Sequence, residues 1–144
     1  MWIGVVGWRG EKAKFMGKAR PAVIGVDNSP SMKKMLERST EDLDIDLTVF
    51  ASAEEAWSYL QSNTPDLIIL SIILPIKDGL SLLKELRQLP EHQHTQVIIV
   101  SSKDYAQDRI LAKGLGVLEF IPKPMPMKTI TDVVVKYTQA NSKN

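Results

Sequence analysis

Polar residues that could do chemistry follow apolar segments at four places in the chain. They are Asp27 with Asn28, Ser71, Ser101 and Lys123. A carboxylate can bind a metal ion, and a serine hydroxyl can act as a nucleophile when a neighbouring base activates it. A catalytic dyad of Ser71 and Lys123 would need an uncharged lysine, and a nearby Asp27 would keep Lys123 charged. We therefore expect that the protein is not an enzyme.

Apolar runs and helical periodicities alternate five times from residue 21 onward, which predicts five β–α units. The predicted strands are residues 22–26, 47–50, 67–70, 97–100 and 117–121. The third strand is the most apolar and is therefore expected at the centre of the sheet.

Helix boundaries are indicated by capping residues and by glycine and proline. Ser31 is the expected N-cap of the first helix, and Ser52 with Glu55 fits a capping box for the second. The third helix follows Gly79, and the fourth is predicted from Ala106, Ile110 and Leu111 at helical spacing. Residues 130–137 show the same periodicity and predict the last helix.

Strands alternating with helices predict one α/β domain over residues 21–140, a parallel five-stranded sheet between two layers of helices. The carboxyl ends of parallel strands lie on one edge of such a sheet, where open α/β folds place their sites. Asp27, Asn28, Ser71, Ser101 and Lys123 are therefore expected to meet there.

Composition narrows the function further. The 144 residues contain no cysteine, carry a formal net charge of +1 and have no apolar run of membrane-spanning length. Residues 1–20 carry +4 and the remainder about −3, so residues 1–20 are predicted to be a basic, flexible arm, and residues 141–144 a polar tail. We expect a cytoplasmic protein without direct contacts to nucleic acid or membrane.

Four separated motifs together resemble the receiver domain of bacterial two-component response regulators. They are Val-Asp-Asn-Ser-Pro-Ser-Met at 26–32, Leu-Pro-x-x-Asp-Gly at 74–79, Val-Ser-Ser at 100–102 and Phe-Ile-Pro-Lys-Pro at 120–124. The resemblance covers residues 21 to about 140. It implies a flavodoxin-like (βα)5 fold and a role in a signalling phosphorelay.

The resemblance also implies roles for single positions. The family's phosphoacceptor aspartate falls on Ser71, and its acidic pair after the first strand falls on Asp27 and Asn28. Ser101 falls on the hydroxyl residue that contacts the phosphoryl group, and Lys123 on the invariant lysine. Phe120 falls on the switch aromatic, where it is either a rotamer switch or a packed edge aromatic. The Ile73 carbonyl falls where a backbone oxygen would complete the shell of the family's Mg²⁺ ion.

Two of these positions depart from the family. Asn28 and Ser71 stand where carboxylates belong, so the pocket holds one carboxylate and one lysine. Mg²⁺ prefers anionic oxygen ligands, and a serine cannot form an acyl phosphate. We therefore expect a pseudo-receiver with no cofactor, in which Asp-phosphorylation and Mg²⁺ binding are lost or impaired. Lys123 is expected to pair with Asp27, and Ser71 to hydrogen-bond with Ser101.

The expected function is a response-regulator-like module that acts by protein–protein contact. Its expected partner is a histidine kinase or another signalling protein, and a homodimer through the last two helices stays open. Two alternatives also stay open: a receiver phosphorylated at a non-standard site, and a small-ligand sensor that uses the strand-end pocket.

Two other polar clusters are interpreted as ordinary surface. Asp42, Asp44 and Asp46 alternate as in a calcium-binding loop, but Leu47 and Ala53 stand where such a loop needs glycine and glutamate. His92 and His94 have no third metal ligand near them in the sequence, so both are expected to be exposed to solvent.

Overall fold

The computed structural model describes residues 20–143. Five parallel strands form one sheet in the order β2-β1-β3-β4-β5, so β3 is central, as its apolar sequence predicts. The strands are β1 (Ala22–Val26), β2 (Asp46–Phe50), β3 (Leu67–Leu70), β4 (Val97–Ser101) and β5 (Phe120–Pro122). This arrangement confirms the predicted doubly wound α/β fold.

Five α-helices cover the two faces of the sheet. They are α1 (Pro30–Thr40), α2 (Ala53–Leu60), α3 (Gly79–Leu86), α4 (Ala106–Gly114) and α5 (Met127–Thr138), with a 3-10 turn at Pro90–His92. Helices α1 and α5 bury Leu36 and Val134 against one face. Helices α2 and α3 bury Leu60 and Leu83 against the other face, and α4 packs beside them through Ala112.

Several boundaries differ from the prediction by one to three residues. The N-cap of α1 is Ser29 rather than Ser31, because the Ser29 hydroxyl accepts a hydrogen bond from the backbone N–H of Met32 at 3.2 Å. Strand β5 begins at Phe120 rather than at residue 117, since the N–H of Val117 still donates to the last turn of α4. Strand β2 begins one residue earlier than expected.

Helix α4 differs from the prediction in the exposure of its apolar residues. The helix forms where its periodicity predicts it and ends at Gly114, but Ile110 is 73% exposed and Leu111 is also exposed. Helical spacing therefore identified the helix correctly without identifying a buried face.

His92 corrects the expectation that both histidines are exposed. His94 is exposed, but only 1% of His92 is accessible. Its Nε2 lies 2.6 Å from the carbonyl oxygen of Leu60, and its Nδ1 lies 2.9 Å from the Thr95 hydroxyl. Arg87 donates to the His92 carbonyl oxygen at 2.6 Å, and burial lowers the pKa of Arg87. His92 is thus a hydrogen-bonded core residue.

Both ends of the described chain are tied to the acidic loop between α1 and β2. Arg20 pairs with Asp44 at 3.0 Å and with Asp46 at 3.4 Å, although the prediction placed it in the arm. The expected polar tail is likewise attached: residue 142 forms an antiparallel bridge with Leu43. The rest of the predicted arm, residues 1–19, and residue 144 lie outside the described residues.

Among residues 20–143, no helix combines the length and the apolar character that crossing a bilayer requires.

The start of α3 packs directly against the end of β3. A Cβ atom built on Gly79 would lie 1.9 Å from the Ser71 carbonyl oxygen, whereas one built on Gly114 meets nothing within 4 Å. Gly79→Ala should therefore lower the free energy of unfolding by about 1–3 kcal/mol or more, because the backbone must shift. Gly114→Ala, the matched control, should leave it unchanged or raise it by up to about 1 kcal/mol. Chemical denaturation measures both, and equal effects would contradict this packing.

A polar contact fastens β5 to α5. The Tyr137 hydroxyl donates a hydrogen bond to the Glu119 carboxylate, and this bond lowers the pKa of Glu119. Burial acts in the opposite direction and raises this pKa, whereas Lys136, whose Nζ lies 3.2 Å from the carboxylate, lowers it further. A carboxyl whose pKa is depressed on folding stabilises the fold above its unfolded pKa of about 4.3 and loses that contribution as pH falls.

Glu119→Gln should therefore lower the free energy of unfolding by about 1 kcal/mol at neutral pH. The difference between Glu119→Gln and the wild type should shrink as the pH falls below about 4. Denaturant titrations across this range measure it. A difference that does not depend on pH would contradict the assignment.

Candidate functional site at the carboxyl edge of the sheet

Backbone hydrogen bonds between neighbouring strands fix the residues at the carboxyl edge. The N–H of Asp27 donates to Phe50, and the N–H of Ser71 donates to Val26. The N–H of Lys123 donates to the Ser101 carbonyl oxygen at 3.0 Å. The predicted site residues therefore stand on rigid strand ends rather than on the long loops that follow them.

Asp27 and Lys123 form the central contact of the site. Lys123 Nζ lies 2.8 Å from Asp27 Oδ2, across 96 residues of sequence, as expected. The other carboxylate oxygen, Oδ1, accepts the N–H of Ser29 at 2.9 Å. Asp27 is 7% exposed, whereas Lys123 is partly exposed. Both oxygens of this carboxylate are thus already engaged by the protein.

The two serines are buried but do not bond to each other, which corrects the expected Ser71–Ser101 hydrogen bond. The Ser71 hydroxyl, in a residue 4% exposed, donates to the carbonyl oxygen of Ile73 at 3.3 Å. The Ser101 hydroxyl accepts the N–H of Lys103 at 3.2 Å. Each serine therefore fixes the loop that leaves its own strand. The Asn28 residue is exposed.

Phe120 is half-buried on β5, and Arg109 of α4 covers it. The Arg109 guanidinium carbon lies 4.5 Å from the centre of the Phe120 ring, within the range of a cation–π contact. Asp104 binds the same guanidinium, and this hydrogen bond lowers the pKa of Asp104 and raises that of Arg109. The β4–α4 loop is thereby linked to the aromatic ring of β5.

The donor set at this edge does not fit a hard divalent cation. The one carboxylate among the predicted ligands, Asp27, is bound by an ammonium group and an amide, and the Ile73 carbonyl accepts from Ser71. Asn28 and Ser71 supply no negative charge. Within residues 20–143, moreover, there is no cluster of three or more His, Asp or Glu residues placed to hold a metal ion.

A family comparison matches this architecture. The sequence model described as "Response regulator receiver domain" covers residues 23–135. The chain belongs to the response regulator receiver domain family. It is therefore a receiver domain of the kind used in two-component signalling, and receiver domains interact with signalling proteins such as histidine kinases.

Two curated proteins similar to the chain are named as response regulators. It is 31% identical over 114 residues to response regulator Rre1 of Synechocystis sp. (strain ATCC 27184 / PCC 6803 / Kazusa), covering 78% of this chain and 49% of Rre1. It is 29% identical over 119 residues to response regulator GtcR of Aneurinibacillus migulanus, covering 82% of this chain and 48% of GtcR. The chain thus spans about half the length of these relatives.

Solved structures share the fold. The phosphorylated cyanobacterial phytochrome response regulator RcpA matches with a TM-score of 0.78 at 19% identity, over 88% of this chain and all of that one. The chemotaxis protein CheY4 of Vibrio cholerae matches with a TM-score of 0.75 at 21% identity, over 83% of this chain and 99% of CheY4. At these identities the likeness establishes the fold alone.

Sequence reasoning missed two residues of the site. Ser29 both caps α1 and donates to Asp27, and the Asp-x-Ser spacing of 27–29 is a turn signal that could have indicated this. Arg109 of α4 covers Phe120, eleven residues later in the sequence, and no local pattern indicates such a contact.

The Asp27–Lys123 pair should be energetically coupled. Asp27→Asn should lower the free energy of unfolding by about 1–3 kcal/mol, because it leaves a largely covered ammonium group without its anion. The double variant Asp27→Asn with Lys123→Met should lose less free energy of unfolding than the two single variants lose in sum, and the difference should be about 1 kcal/mol or more. Urea titrations of all four proteins give this coupling.

The exposed Lys128–Asp132 pair provides the control cycle. Its two partners lie 2.7 Å apart on the surface of α5, and its coupling should not exceed about 0.5 kcal/mol. If the losses of unfolding free energy caused by the Asp27 and Lys123 variants are additive, the two side chains do not form the ion pair described here.

Proposed function

We propose that this chain is a pseudo-receiver, a receiver domain that signals by protein–protein contact and neither binds Mg²⁺ tightly nor carries an aspartyl phosphate at its strand-end site. The observation that carries this proposal is the Asp27–Lys123 contact of 2.8 Å, beside a serine where the family's acceptor falls. Among the predicted site residues one carboxylate is paired with one lysine, so no net negative charge remains to attract a divalent cation.

Ser71 does not replace the missing acceptor. A serine needs an adjacent general base to act as a nucleophile, and its hydroxyl instead donates to the Ile73 carbonyl oxygen. Asp27, the one carboxylate among the predicted site residues, is engaged by Lys123 and by the backbone N–H of Ser29. Ser71 is also only 4% exposed, which disfavours its modification by a serine kinase. We therefore propose that the domain has no enzymatic role.

The proposal assigns signalling to a conformation that is present without phosphorylation. The hydroxyl of Ser101 accepts from Lys103, and Arg109 holds Phe120 against α4. These contacts tie the loops around the site without a phosphoryl group. The proposed partner is a histidine kinase or another signalling protein, and a homodimer through the last two helices stays open as an alternative.

Phosphoryl transfer tests the proposal. The full chain is incubated with acetyl phosphate and Mg²⁺, and phosphorylation is followed by intact mass and peptide mapping. The wild type should remain unmodified, whereas the double variant Asn28→Asp with Ser71→Asp should acquire a phosphoryl group, because it regains the acceptor and the acidic pair. The single variant Asn28→Asp is the matched control and should also remain unmodified.

Stoichiometric phosphorylation of the wild type would contradict the proposal, and the mapped residue would identify the non-standard site. A thermal-shift screen addresses the ligand-sensor alternative, since a ligand that binds only the native state raises the melting temperature. A saturable rise that Lys123→Met abolishes would favour that alternative.

A further inference from the structure

Strand β2 lies at one edge of the sheet, and part of its backbone points away from its neighbour. Within residues 20–143, β2 pairs with β1 alone. The N–H of Asp46 and the carbonyl oxygen of Phe50 both form hydrogen bonds with the chain at the two ends of β1. Because this direction alternates along a strand, the N–H and C=O groups of Leu47 and Val49 face outward. The outer edge of β2 can therefore pair with a further strand.

The opposite edge of the sheet is protected by its own sequence. Strand β5 has three residues, ends in Pro122, which has no N–H, and has Phe120 covered by Arg109. Strand β2 has five residues, no proline and no lysine, and none of its residues is fully buried. Natural sheets shorten, charge or cover their edges, because an open edge pairs with other chains. Among the described residues, nothing gives β2 the protection that β5 has.

The sequence before the described residues contains a segment with the composition of a strand. Residues 2–8 read Trp-Ile-Gly-Val-Val-Gly-Trp, without charge and without proline. Tryptophan and β-branched residues are favoured in strands, and here they would fall on both faces. Both faces are apolar beside β2, because Leu47 and Val49 pack against one core cluster and Phe50 packs against the other. The two glycines weaken the segment as an isolated strand, so it needs an edge with which to pair.

The position of Arg20 brings this segment close to β2. Arg20, the first described residue, is held beside the start of β2 by Asp44 at 3.0 Å and by Asp46 at 3.4 Å. A strand on the outer edge of β2 would lie two strand spacings from β1, about 10 Å away. Residues 9–19 can span up to about 36 Å when extended. The connection between residue 8 and Arg20 is therefore long enough.

Charge favours the same placement. Residues 9–19 contain four basic residues and one acidic residue, namely Arg9, Lys12, Lys14, Lys18 and Glu11. The loop between α1 and β2, together with the first residue of β2, presents four exposed carboxylates, namely Glu41, Asp42, Asp44 and Asp46. Arg20 already contacts two of the four. Opposite charges thus attract the connection to the end of the sheet at which β2 begins.

We propose that residues 2–8 pair with the outer edge of β2 as a sixth, antiparallel strand of the same chain. The antiparallel direction gives the shortest connection, because the segment then ends at the amino edge of the sheet, where β1 begins. The pairing satisfies the outward N–H and C=O groups of Leu47 and Val49 and covers their half-exposed side chains. The added strand thereby protects the sheet against edge-to-edge association with other chains.

This inference goes beyond the proposed function and is independent of it. Strand β2 carries none of the residues predicted for the strand-end site, so failure of the pairing would leave the phosphoryl-transfer result unaffected. Two other occupants of the β2 edge are residues 2–8 of a second copy and β2 of a second copy. The experiments below distinguish both from pairing within one chain.

Amide hydrogen exchange of the full chain tests the pairing. The N–H groups of Leu47 and Val49 should exchange slowly in the wild type, because they are then hydrogen-bonded. Alternate N–H groups of the added strand face β2, and proline removes one of them. One of the variants Val5→Pro and Val6→Pro should therefore speed this exchange about tenfold or more, and the other should have a smaller effect. Ala13→Pro, in the basic connection, is the matched control and should leave the exchange unchanged.

A spin label identifies the chain from which the strand comes. The protein has no cysteine, so Gly4→Cys provides a single attachment site, on a face of the strand rather than on its paired edge. The label should broaden the amide NMR signals of residues 46–50 when label and nitrogen isotope are on the same chain. It should not broaden them when the two are on different chains in a mixture.

Three results would overturn the inference. They are fast exchange at Leu47 and Val49 in the wild type, equal exchange rates in all three proline variants, and broadening that appears only between chains. The last result would assign the β2 edge to residues 2–8 of a second copy. Slow exchange in the wild type without broadening in either sample would also exclude residues 2–8 and would assign the edge to β2 of a second copy.

Discussion

The ion pair between Asp27 and Lys123 is the contact on which the carboxyl edge of this domain depends. It joins the end of β1 to the end of β5, residues that are 96 positions apart in sequence, and the Asp27 side chain is almost fully covered. A carboxylate in such a position must be compensated, because an unpaired buried charge is strongly destabilising. Lys123 and the N–H of Ser29 provide that compensation without any ligand. The negative charge of Asp27 is therefore balanced by groups of the protein itself.

Ser71, the residue on which the proposed pseudo-receiver role rests, also affects the loop that follows. Its hydroxyl donates to the carbonyl oxygen of Ile73, two residues onward, and so shapes the start of the β3–α3 loop. The close approach of Gly79 to the Ser71 carbonyl fixes the other end of that loop. Ser71 and Gly79 thus hold the two ends of one short segment at the carboxyl edge of the sheet.

The sequence predicted the fold because its strongest signals are local. The run Leu67–Leu70 is apolar throughout and lies at the centre of the sheet, and strand–helix alternation fixes the parallel arrangement. The convergence of Asp27 and Lys123 followed from that topology alone. Contacts between distant segments were not predictable in this way. His92 can be buried because its two ring nitrogens form hydrogen bonds with the Leu60 carbonyl oxygen and the Thr95 hydroxyl. Ile110 is exposed because Ala112 is the one residue that α4 buries fully. Periodicity and polarity cannot distinguish these outcomes.

Titration with Mn²⁺, followed by paramagnetic broadening of amide NMR signals, tests most directly whether the strand-end site has lost its cation. We expect no saturable broadening at residues 27, 71 and 73 of the wild type up to millimolar Mn²⁺, and clear broadening when Asn28 and Ser71 are both replaced by aspartate. Saturable, site-specific broadening in the wild type would contradict the account, because it would show that this neutral edge still binds a divalent cation.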